Sequence, residues 1–296
     1  MVYKQSLSRR LFSLANVLFL SCITLLGIIP FLHLLSVSLS TNVAASAGEV
    51  KLWPVGFSLD AYEYLGEKVE FFRSLWVSIE RVVLGTAVNM ILVFLTAYPL
   101  SKSNDLFKWR TPYVWFFAVT MFFGGGLIPT YIIVKDTGLL DSIWALILPG
   151  ALNVWNMILM LNFFRSIPKE MEEAATIDGA GHWKTLWQIY LPVSLPSIAT
   201  IGLFTVVGHW NSWFDGILYM NSPDNYPLQT YLSTLIMSLN TQMTSISVEQ
   251  LEALENLSEK TLRTAQIFMG ALPIMIVYPF VQKYFIKGMT VGSVKE

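Results

Sequence analysis

The chain alternates between long apolar stretches and shorter polar segments. A helix that rises ~1.5 Å per residue needs ~20 residues to cross a hydrocarbon core of ~30 Å. Backbone groups in lipid must be satisfied internally and the alternation typical of a β-barrel is absent, so the apolar stretches predict helices. Six stretches are long enough, and they lie at about 11–39, 76–100, 112–134, 143–164, 193–220 and 264–286. The pattern predicts an all-α, polytopic membrane protein with a single transmembrane domain over residues 1–296.

Composition agrees with a lipid environment. Of the 296 residues, 54% are hydrophobic and 13% are charged, so a water-soluble fold could not bury this much apolar surface. The first stretch follows Lys4, Arg9 and Arg10, as a secretion signal would. It is nevertheless much longer than the apolar region of a signal peptide, which has ~7 to 15 residues. We therefore expect a retained membrane helix there.

The charged residues predict the orientation. Lys and Arg near the ends of membrane spans are held on the cytoplasmic side. With the N-terminus inside, twelve of the nineteen basic residues and six of the twenty acidic residues fall on that side. Both termini and the polar segment 165–192 are then cytoplasmic. The loops 40–74 and 221–263 are extracytoplasmic.

The sequence contains little that suggests catalysis. Its three histidines, His33, His182 and His209, lack metal-type spacing, and no nucleophile–base pair is evident. Cys22 is the single cysteine, which excludes an intrachain disulfide. No basic stripe indicates nucleic acid. We expect no catalytic residue, no metal, no cofactor and no nucleic-acid partner.

The polar segment 165–192 predicts two short helices joined by a turn. Pro168 suits the first helical turn, and the glutamates after it suit the positive end of the helix dipole. Met171, Ala174, Ala175 and Asp178 fall at i, i+3, i+4 and i+7, which predicts one narrow face that another surface could approach.

A turn and a second helix follow. Gly179 and Gly181 permit a sharp change of direction because glycine tolerates positive φ. The second helix is predicted from Trp183 to Tyr190, with its end at Pro192. The result is an elbow that lies along the membrane.

The same segment carries a spaced signature, EAA-x3-G-x9-I-x-LP. Its fixed positions are Glu173, Ala174, Ala175, Gly179, Ile189, Leu191 and Pro192. This spacing, on the cytoplasmic side, resembles the EAA loop of permeases from binding-protein-dependent ABC importers.

The resemblance covers nearly the whole chain. It is similar to the MalG-type permease subunits of carbohydrate importers, and within them to subunits that import oligosaccharides from complex polysaccharides. The similar stretches are AYPLSK at 97–102, GGLIPTY at 125–131, IWALILP at 143–149, FFRSIPKE at 163–170 and YFIKGMTVGSVK at 284–295.

The resemblance implies a MetI-like type I ABC importer fold in the bacterial cytoplasmic (inner) membrane. Its implied partners are a second homologous permease subunit, two ATPase subunits and an extracytoplasmic sugar-binding protein. The chain lacks a GxxxxGK[ST] phosphate loop, and the nearest fragment, GHWKT at 181–185, has no glycine before its lysine, so ATP hydrolysis would belong to the partners. The implied coupling residues are Glu173, Ala174, Ala175, Asp178, Gly179, Gly181, Ile189, Leu191 and Pro192.

A substrate pathway can be sought among polar and indole side chains inside the apolar stretches. Polar groups in lipid are costly and turn inward, and sugars present both hydroxyls and apolar faces. The candidates are Asn153, Trp155, Asn156, His209, Trp210, Asn211, Trp213 and Asp215. Contacts between helices, or interface anchoring of the tryptophans, explain the same residues equally well.

Several other features bear on the architecture. The glycines at 124–126 predict a turn or close helix packing, and Pro129, Pro149, Pro196 and Pro273 predict breaks or bends. The neighbouring charges of Glu80 and Arg81 predict an anchor at a helix end. Within the loop 221–263, apolar residues spaced by three predict an amphipathic helix, and they are Val248, Leu251, Leu254 and Leu257.

Other functions stay open. An ABC importer for a non-sugar solute would share the elbow, and the carbohydrate-type stretches weigh against it. An ion-coupled secondary carrier would typically show internal repeats and intramembrane carboxylates, which are not evident. An intramembrane enzyme lacks a catalytic constellation.

Overall fold

The computed structural model describes residues 7–241 and 259–293. Over these ranges the regular structure is helical, and β-pairing is limited to an isolated bridge between Ser40 and Phe57. The all-α prediction is therefore confirmed. The predicted amphipathic helix around Val248 to Leu257 lies outside the described residues.

The helices follow one another in this order: α1 (Leu7–Ser38), α2 (Asn42–Ala47), α3 (Asp60–Glu67), α4 (Val69–Ser101), α5 (Arg110–Phe122), α6 (Leu127–Asp136), α7 (Ile143–Ile147), α8 (Val154–Ser166), α9 (Lys169–Ile177), α10 (His182–Thr185), α11 (Leu191–Val193), α12 (Leu195–Asn211), α13 (Phe214–Tyr219), α14 (Leu228–Thr241) and α15 (Glu259–Ser293). Short 3-10 turns occupy Leu148–Gly150 and Pro223–Asn225, and a π-helical turn occupies Leu186–Tyr190.

The chain divides into two compact units, Met1–Val69 with Thr234–Leu272 and Glu70–Ser233 with Pro273–Glu296. The single domain expected over 1–296 stays a prediction. In the first unit, α1 has a window of mean hydropathy 2.3 with none of it buried, as expected for a helix in contact with lipid. Its C-terminal end packs through Val37 on Ala44 and Ala45.

The predicted spans are only partly single helices. Among the described residues, Ser8–Ser38 and Val69–Ser101 are long and apolar enough to cross a membrane alone, and five spans result if each of three bent helix pairs counts as one. Breaks lie within the stretches 112–134 and 143–164, where the helix pairs are bent by 114° and 53°. A bend of 84° separates His182–Val193 from Leu195–Asn211, at the start of the stretch 193–220. The six spans themselves stay a prediction. The sixth predicted stretch, 264–286, lies within α15.

Glycine and proline positions account for the breaks. Gly126 has a φ of +85°, which favours glycine, and its carbonyl accepts the N–H of Thr130 in the first turn of α6. The turn expected at 124–126 is therefore present, and Pro129 lies after it, inside α6. Pro149 lies in the 3-10 turn before α8, and Pro196 lies in the first turn of α12. α15, in contrast, continues through Pro273.

Two apolar clusters hold the second unit together. The larger joins α4, α8, the π turn and α12 through buried residues such as Val93, Met157, Phe164 and Ile201. The smaller joins α6, α7 and α13 through Val134, Ala145, Leu146 and Tyr219. Both clusters belong to the unit that contains the polar side chains described below.

The contact between α13 and α14 yields a prediction. A Cβ built on the buried Gly216 would overlap the side chain of Thr230, which is fully buried and donates a hydrogen bond to the carbonyl of Trp213 (2.8 Å). We expect Gly216→Ala to destabilise the protein by about 1–3 kcal/mol through overpacking, measured as a lower melting temperature in detergent. Gly202→Ala on α12 is the control because a Cβ there meets no atom within 4 Å. Equal melting temperatures for the two variants would contradict the overpacking argument.

Candidate functional site

The second unit encloses a polar cavity of about 640 Å³ between α4, α7, α8, α12 and α13. Helix breaks turn backbone and side chains toward it, since Asn153 caps α8 and Ser212 follows α12. The polar side chains of its lining are Arg81, Asn89, Asn153, Asn156, Thr205, His209, Ser212 and Asp215, and Trp155 and Tyr219 add aromatic surface.

An ion pair between Arg81 and Asp215 holds one wall of this cavity. The side chain of Arg81 is 3% exposed, and both of its terminal nitrogens contact the carboxylate of Asp215. The guanidinium also donates to the carbonyls of Ser212 (3.2 Å) and Leu146 (3.4 Å). The hydroxyl of Ser212 donates to the same carboxylate (2.9 Å). One charged side chain thus connects α4 with α7 and α13.

A second polar contact connects α4 with α12. Nε2 of His209 donates to the side-chain oxygen of Asn89 (3.3 Å), whose amide nitrogen donates to the carbonyls of Ala151 (2.9 Å) and Gly85 (3.2 Å). A Cβ at Gly85 would lie 2.5 Å from Nε2 of His209, so only glycine leaves room for the imidazole there. The cavity wall therefore offers amide, imidazole and hydroxyl groups that can form hydrogen bonds with a polar molecule.

The expected pathway residues separate into two groups. Asn153, Trp155, Asn156, His209 and Asp215 lie in the cavity lining. Trp210 is buried in a separate apolar cavity of about 200 Å³, and Asn211 and Trp213 are exposed and outside the polar lining. Trp210 and Asn211 directly follow His209 on α12, and successive helical residues project about 100° apart, so the three side chains do not share one face. Trp213 lies in the break between α12 and α13.

The anchor expected for Glu80 and Arg81 is wrong for Arg81. Glu80 is exposed, whereas Arg81 turns to the interior and pairs with Asp215. The signal in the sequence was limited to the presence of charged residues within apolar stretches, which makes Arg81 and Asp215 candidates for burial but does not state that they meet.

The elbow, residues 169–193, forms much as expected. α9 begins at Lys169 with Pro168 as its N-cap, one position earlier than the first-turn position expected for that proline. Gly179 has a φ of +73° and makes the turn, while Gly181 is extended and caps α10. The second helical segment runs on through the π turn and α11 to Val193, so the predicted end at Pro192 is wrong.

The outward face of the elbow differs from the expected one. Met171, Ala174 and Asp178 are exposed, but Ala175 is buried against the unit. Ile177, at 86% exposure, lies on the outer side instead. Of the other signature residues, Glu173, Gly179, Gly181 and Pro192 are exposed, Ile189 is half-buried, and Leu191 is buried.

A buried cluster fixes the elbow to the end of α4. Lys102 is 7% exposed, and its Nζ donates to Oε1 of Glu172 (2.6 Å) and to the hydroxyl of Tyr190 (2.9 Å). The hydroxyl of Tyr190 in turn donates to Oε2 of Glu172 (2.7 Å). Nζ of Lys102 also lies 4.0 Å and 4.2 Å from the ring centroids of Tyr98 and Tyr190. We refer to Lys102, Glu172 and Tyr190 as the elbow cluster.

Burial and hydrogen bonding have opposite effects on the pKa values of Glu172 and Lys102. Burial alone raises the pKa of the Glu172 carboxyl, but the hydrogen bonds from Lys102 and Tyr190 outweigh it, so the pKa lies below its ordinary value. Burial lowers the pKa of the Lys102 ammonium, against the effect of its hydrogen bond to Glu172. The 2.6 Å contact favours the ionised pair, and so do the hydrogen bonds that both oxygens of the Glu172 carboxylate accept.

The sequence alone does not predict this cluster, because nothing in the EAA spacing distinguishes Glu172 from its neighbour Glu173. Lys102 follows a long apolar run and reads as an ordinary residue at the end of a membrane span. Only the packing of α9 against α4 brings the two charges together. Among the described residues, no group of three or more His, Cys, Asp or Glu side chains could hold a metal ion.

Comparison with known proteins places these features in context. Residues 82–291 match the family described as binding-protein-dependent transport system inner membrane component. The chain is 41% identical to Protein LplC of Bacillus subtilis (strain 168), over 97% of this chain and 95% of that protein. It is 40% identical to the polygalacturonan/rhamnogalacturonan transport system permease protein YtcP of the same organism, over 98% and 100%.

A solved structure is similar as well. A chain of a bacterial ABC transporter involved in the import of the acidic polysaccharide alginate superposes with a TM-score of 0.84 at 34% identity, over 95% of this chain and 99% of that one. A chain of a bacterial alginate ABC transporter in complex with an alginate pentasaccharide-bound periplasmic protein superposes with a TM-score of 0.56 at 17% identity. The second match supports the fold alone.

The buried ion pair yields a prediction. Arg81→Met or Asp215→Asn alone leaves a buried charge without its partner, which costs about 3–5 kcal/mol. We expect each single variant to lower the melting temperature in detergent more than the double variant does. The control is Arg73→Met, because Arg73 pairs with Asp224 at the surface, where both side chains are 54% exposed; an exposed pair contributes ~0–1 kcal/mol. A double variant less stable than both single variants would contradict the pairing argument.

Proposed function

The chain belongs to the family of binding-protein-dependent transport system inner membrane components, and from this we propose that it is the permease subunit of an ABC importer for an acidic oligosaccharide. Its elbow would be cytoplasmic and would receive the motion of ATPase subunits, which hydrolyse the ATP. Its cavity would form part of the path that opens alternately to the two sides of the membrane. Both termini would be cytoplasmic.

The exposed side of the elbow is the observation that carries this proposal. Glu173, Ala174 and Asp178 present polar and small groups to the outside, and Ile177 presents an almost fully exposed apolar side chain. An exposed isoleucine beside a carboxylate and small residues fits a partner cleft that offers an apolar pocket and a basic group. The second helical segment is attached to the apolar core of the unit through the buried Leu186 and Leu191.

The cavity supports passage of a polar solute. Its amide, hydroxyl and imidazole groups would hydrogen-bond sugar hydroxyls, and the indole of Trp155 would contact an apolar sugar face. The ionic groups of the lining, Arg81 and Asp215, neutralise each other in this arrangement. Asn153, Asn156 and His209 are the residues that we propose meet the cargo here.

The cargo and the partners are inferred from the relatives. The YtcP protein is a polygalacturonan/rhamnogalacturonan permease, and the structural relative serves import of an acidic polysaccharide. A more distant structural relative is an alginate ABC transporter in complex with a periplasmic protein that is bound to an alginate pentasaccharide. We therefore propose that an extracytoplasmic binding protein delivers an acidic oligosaccharide to this chain and to a second, homologous permease subunit.

Substitutions on the elbow test the coupling role. Glu173→Lys reverses a charge on the exposed face, and Gly179→Pro is incompatible with the φ of +73° at that residue. We expect both variants to insert into the membrane but to lose about tenfold or more of the ATP hydrolysis stimulated by the loaded binding protein, equivalent to ~1.4 kcal/mol. Glu170→Gln, an exposed change on the same helix, is the control. Normal coupled uptake by Glu173→Lys in reconstituted vesicles would contradict the coupling role.

The cargo class has its own test. We expect the cognate binding protein to retain galacturonate or alginate oligosaccharides, and vesicles that contain the full complex to take them up. Neutral malto- and cello-oligosaccharides of matched length serve as the comparison. Calorimetric titration of the binding protein and uptake of labelled sugars measure the difference. Preferential uptake of the neutral sugars would overturn the acidic cargo while leaving the importer assignment intact.

A further inference from the structure

The elbow has an outer and an inner side, and Glu173 and Ala174 of the EAA signature lie on the outer one. On the inner side, the elbow cluster attaches α9 and the π turn to the end of α4. We propose that Lys102, Glu172 and Tyr190 are positioning residues that pass the displacement of the elbow to α4 and thereby to the polar cavity. This inference rests on the proposed function, because it presumes that the elbow receives a motion.

The three side chains of the elbow cluster all contact one another. Each of the three polar groups touches the other two, at 2.6, 2.7 and 2.9 Å, and the two aromatic rings of Tyr98 and Tyr190 lie over the ammonium group. The rings themselves meet edge to face, with centroids 5.0 Å apart. Because each group satisfies the others in a buried place, the segments cannot separate without exposing an unpaired charge. The link is therefore stiff.

The position of Glu172 in the chain places the elbow cluster next to the exposed face of α9. It is the immediate neighbour of Glu173, so one glutamate turns inward to Lys102 while the next turns outward on the exposed face. Successive helical residues project about 100° apart, which separates the two roles on one turn of α9. A force applied at the outer glutamate acts on the helix that the inner glutamate ties to α4.

The π turn contributes the third attachment. Tyr190 ends the π-helical turn Leu186–Tyr190, in which an extra residue per turn shifts the following side chains relative to a regular helix. Tyr190 is buried between Tyr98 and Phe164, with centroids 5.0 Å and 5.3 Å from theirs. Both arms of the elbow are thus fixed to the same end of α4.

α4 reaches from this cluster to the cavity. It is an uninterrupted helix from Val69 to Ser101, and at ~1.5 Å per residue the part from Arg81 to its end spans about 30 Å. It contributes Arg81 and Asn89 to the cavity lining, where they contact Asp215 and His209. α12 is separated from the elbow by a bend of 84°, whereas α8 runs unbroken from the cavity to Ser166. Of the two unbroken helices that join the cavity to the elbow, α4 is the one to which the elbow cluster attaches.

Conservative variants in the complete transporter test the assignment. The transporter is reconstituted with its ATPase subunits and loaded binding protein, and ATP hydrolysis and sugar uptake are measured on the same vesicles. Tyr190→Phe removes one hydroxyl and keeps the ring, and Glu172→Gln removes one charge and keeps the shape. We expect both variants to assemble and to hydrolyse ATP. We expect uptake per ATP to fall about fivefold or more, because a fivefold effect is at the lower end of typical allosteric couplings.

The ratio of uptake to hydrolysis separates positioning from mere stabilisation. A stabilising role would lower the amount of assembled complex and both rates together, leaving uptake per ATP unchanged. Glu170→Gln on the exposed side of α9 is the matched control, and Lys102→Arg should retain more coupling than Lys102→Met because it keeps the charge. Uptake per ATP equal to that of Glu170→Gln in both Tyr190→Phe and Glu172→Gln would overturn the inference. If the loaded binding protein did not change the rate of ATP hydrolysis by the unmodified transporter, this result would instead contradict the proposed function.

Discussion

The packing of the second unit depends on two buried cationic side chains at one helix, α4. Arg81 and Lys102 both lie on or directly after α4, and each is buried because a carboxylate from a distant segment reaches it. A lone buried charge costs several kcal/mol, whereas a paired one with its hydrogen bonds occupied is tolerated. The two pairs therefore decide which segments pack on α4: α7 and α13 at Arg81, α9 and the π turn at Lys102.

The helix breaks follow from the same constraint. Backbone groups at a break lose their helical partners and need others, so breaks lie where side chains or carbonyls are available. The break after α12 turns the carbonyl of Ser212 to Arg81, and the one before α8 is capped by Asn153. The polar cavity is thus bordered by the breaks themselves. Under the proposed function, the groups freed at these breaks are the ones that the cargo would meet.

The elbow combines an adaptable outer surface with a rigid inner one. Outside, a glutamate, small residues and the exposed Ile177 offer a surface that a partner can cover. Inside, an ion pair, a tyrosine hydroxyl and two tyrosine rings packed edge to face hold the helix in place. A helix held this way moves with the body to which it is attached. The two surfaces meet at adjacent residues, Glu172 and Glu173, on one turn of α9.

The sequence by itself determined the helical class, the membrane environment, the elbow and its signature, since these depend on composition and on local spacing. Gly179 and the glycines at 124–126 could be assigned to turns because their backbone requirement is local. The signature also carried the family, which the comparisons bear out. Five of the eight expected pathway residues lie in one cavity because amides and charges in apolar helices turn inward.

Only the tertiary structure decided which polar residues meet. Arg81 and Asp215 lie far apart in the chain, as do Lys102 and Glu172, and no local pattern states which charge pairs with which. The same holds for Ala175, which shares a helical face with exposed residues but is covered by the packing of α9. Trp210 and Asn211 lie outside the cavity lining because they follow His209 on one helix, and the packing of α12 decided which of the three side chains meets the cavity. Trp213 lies in the break after α12.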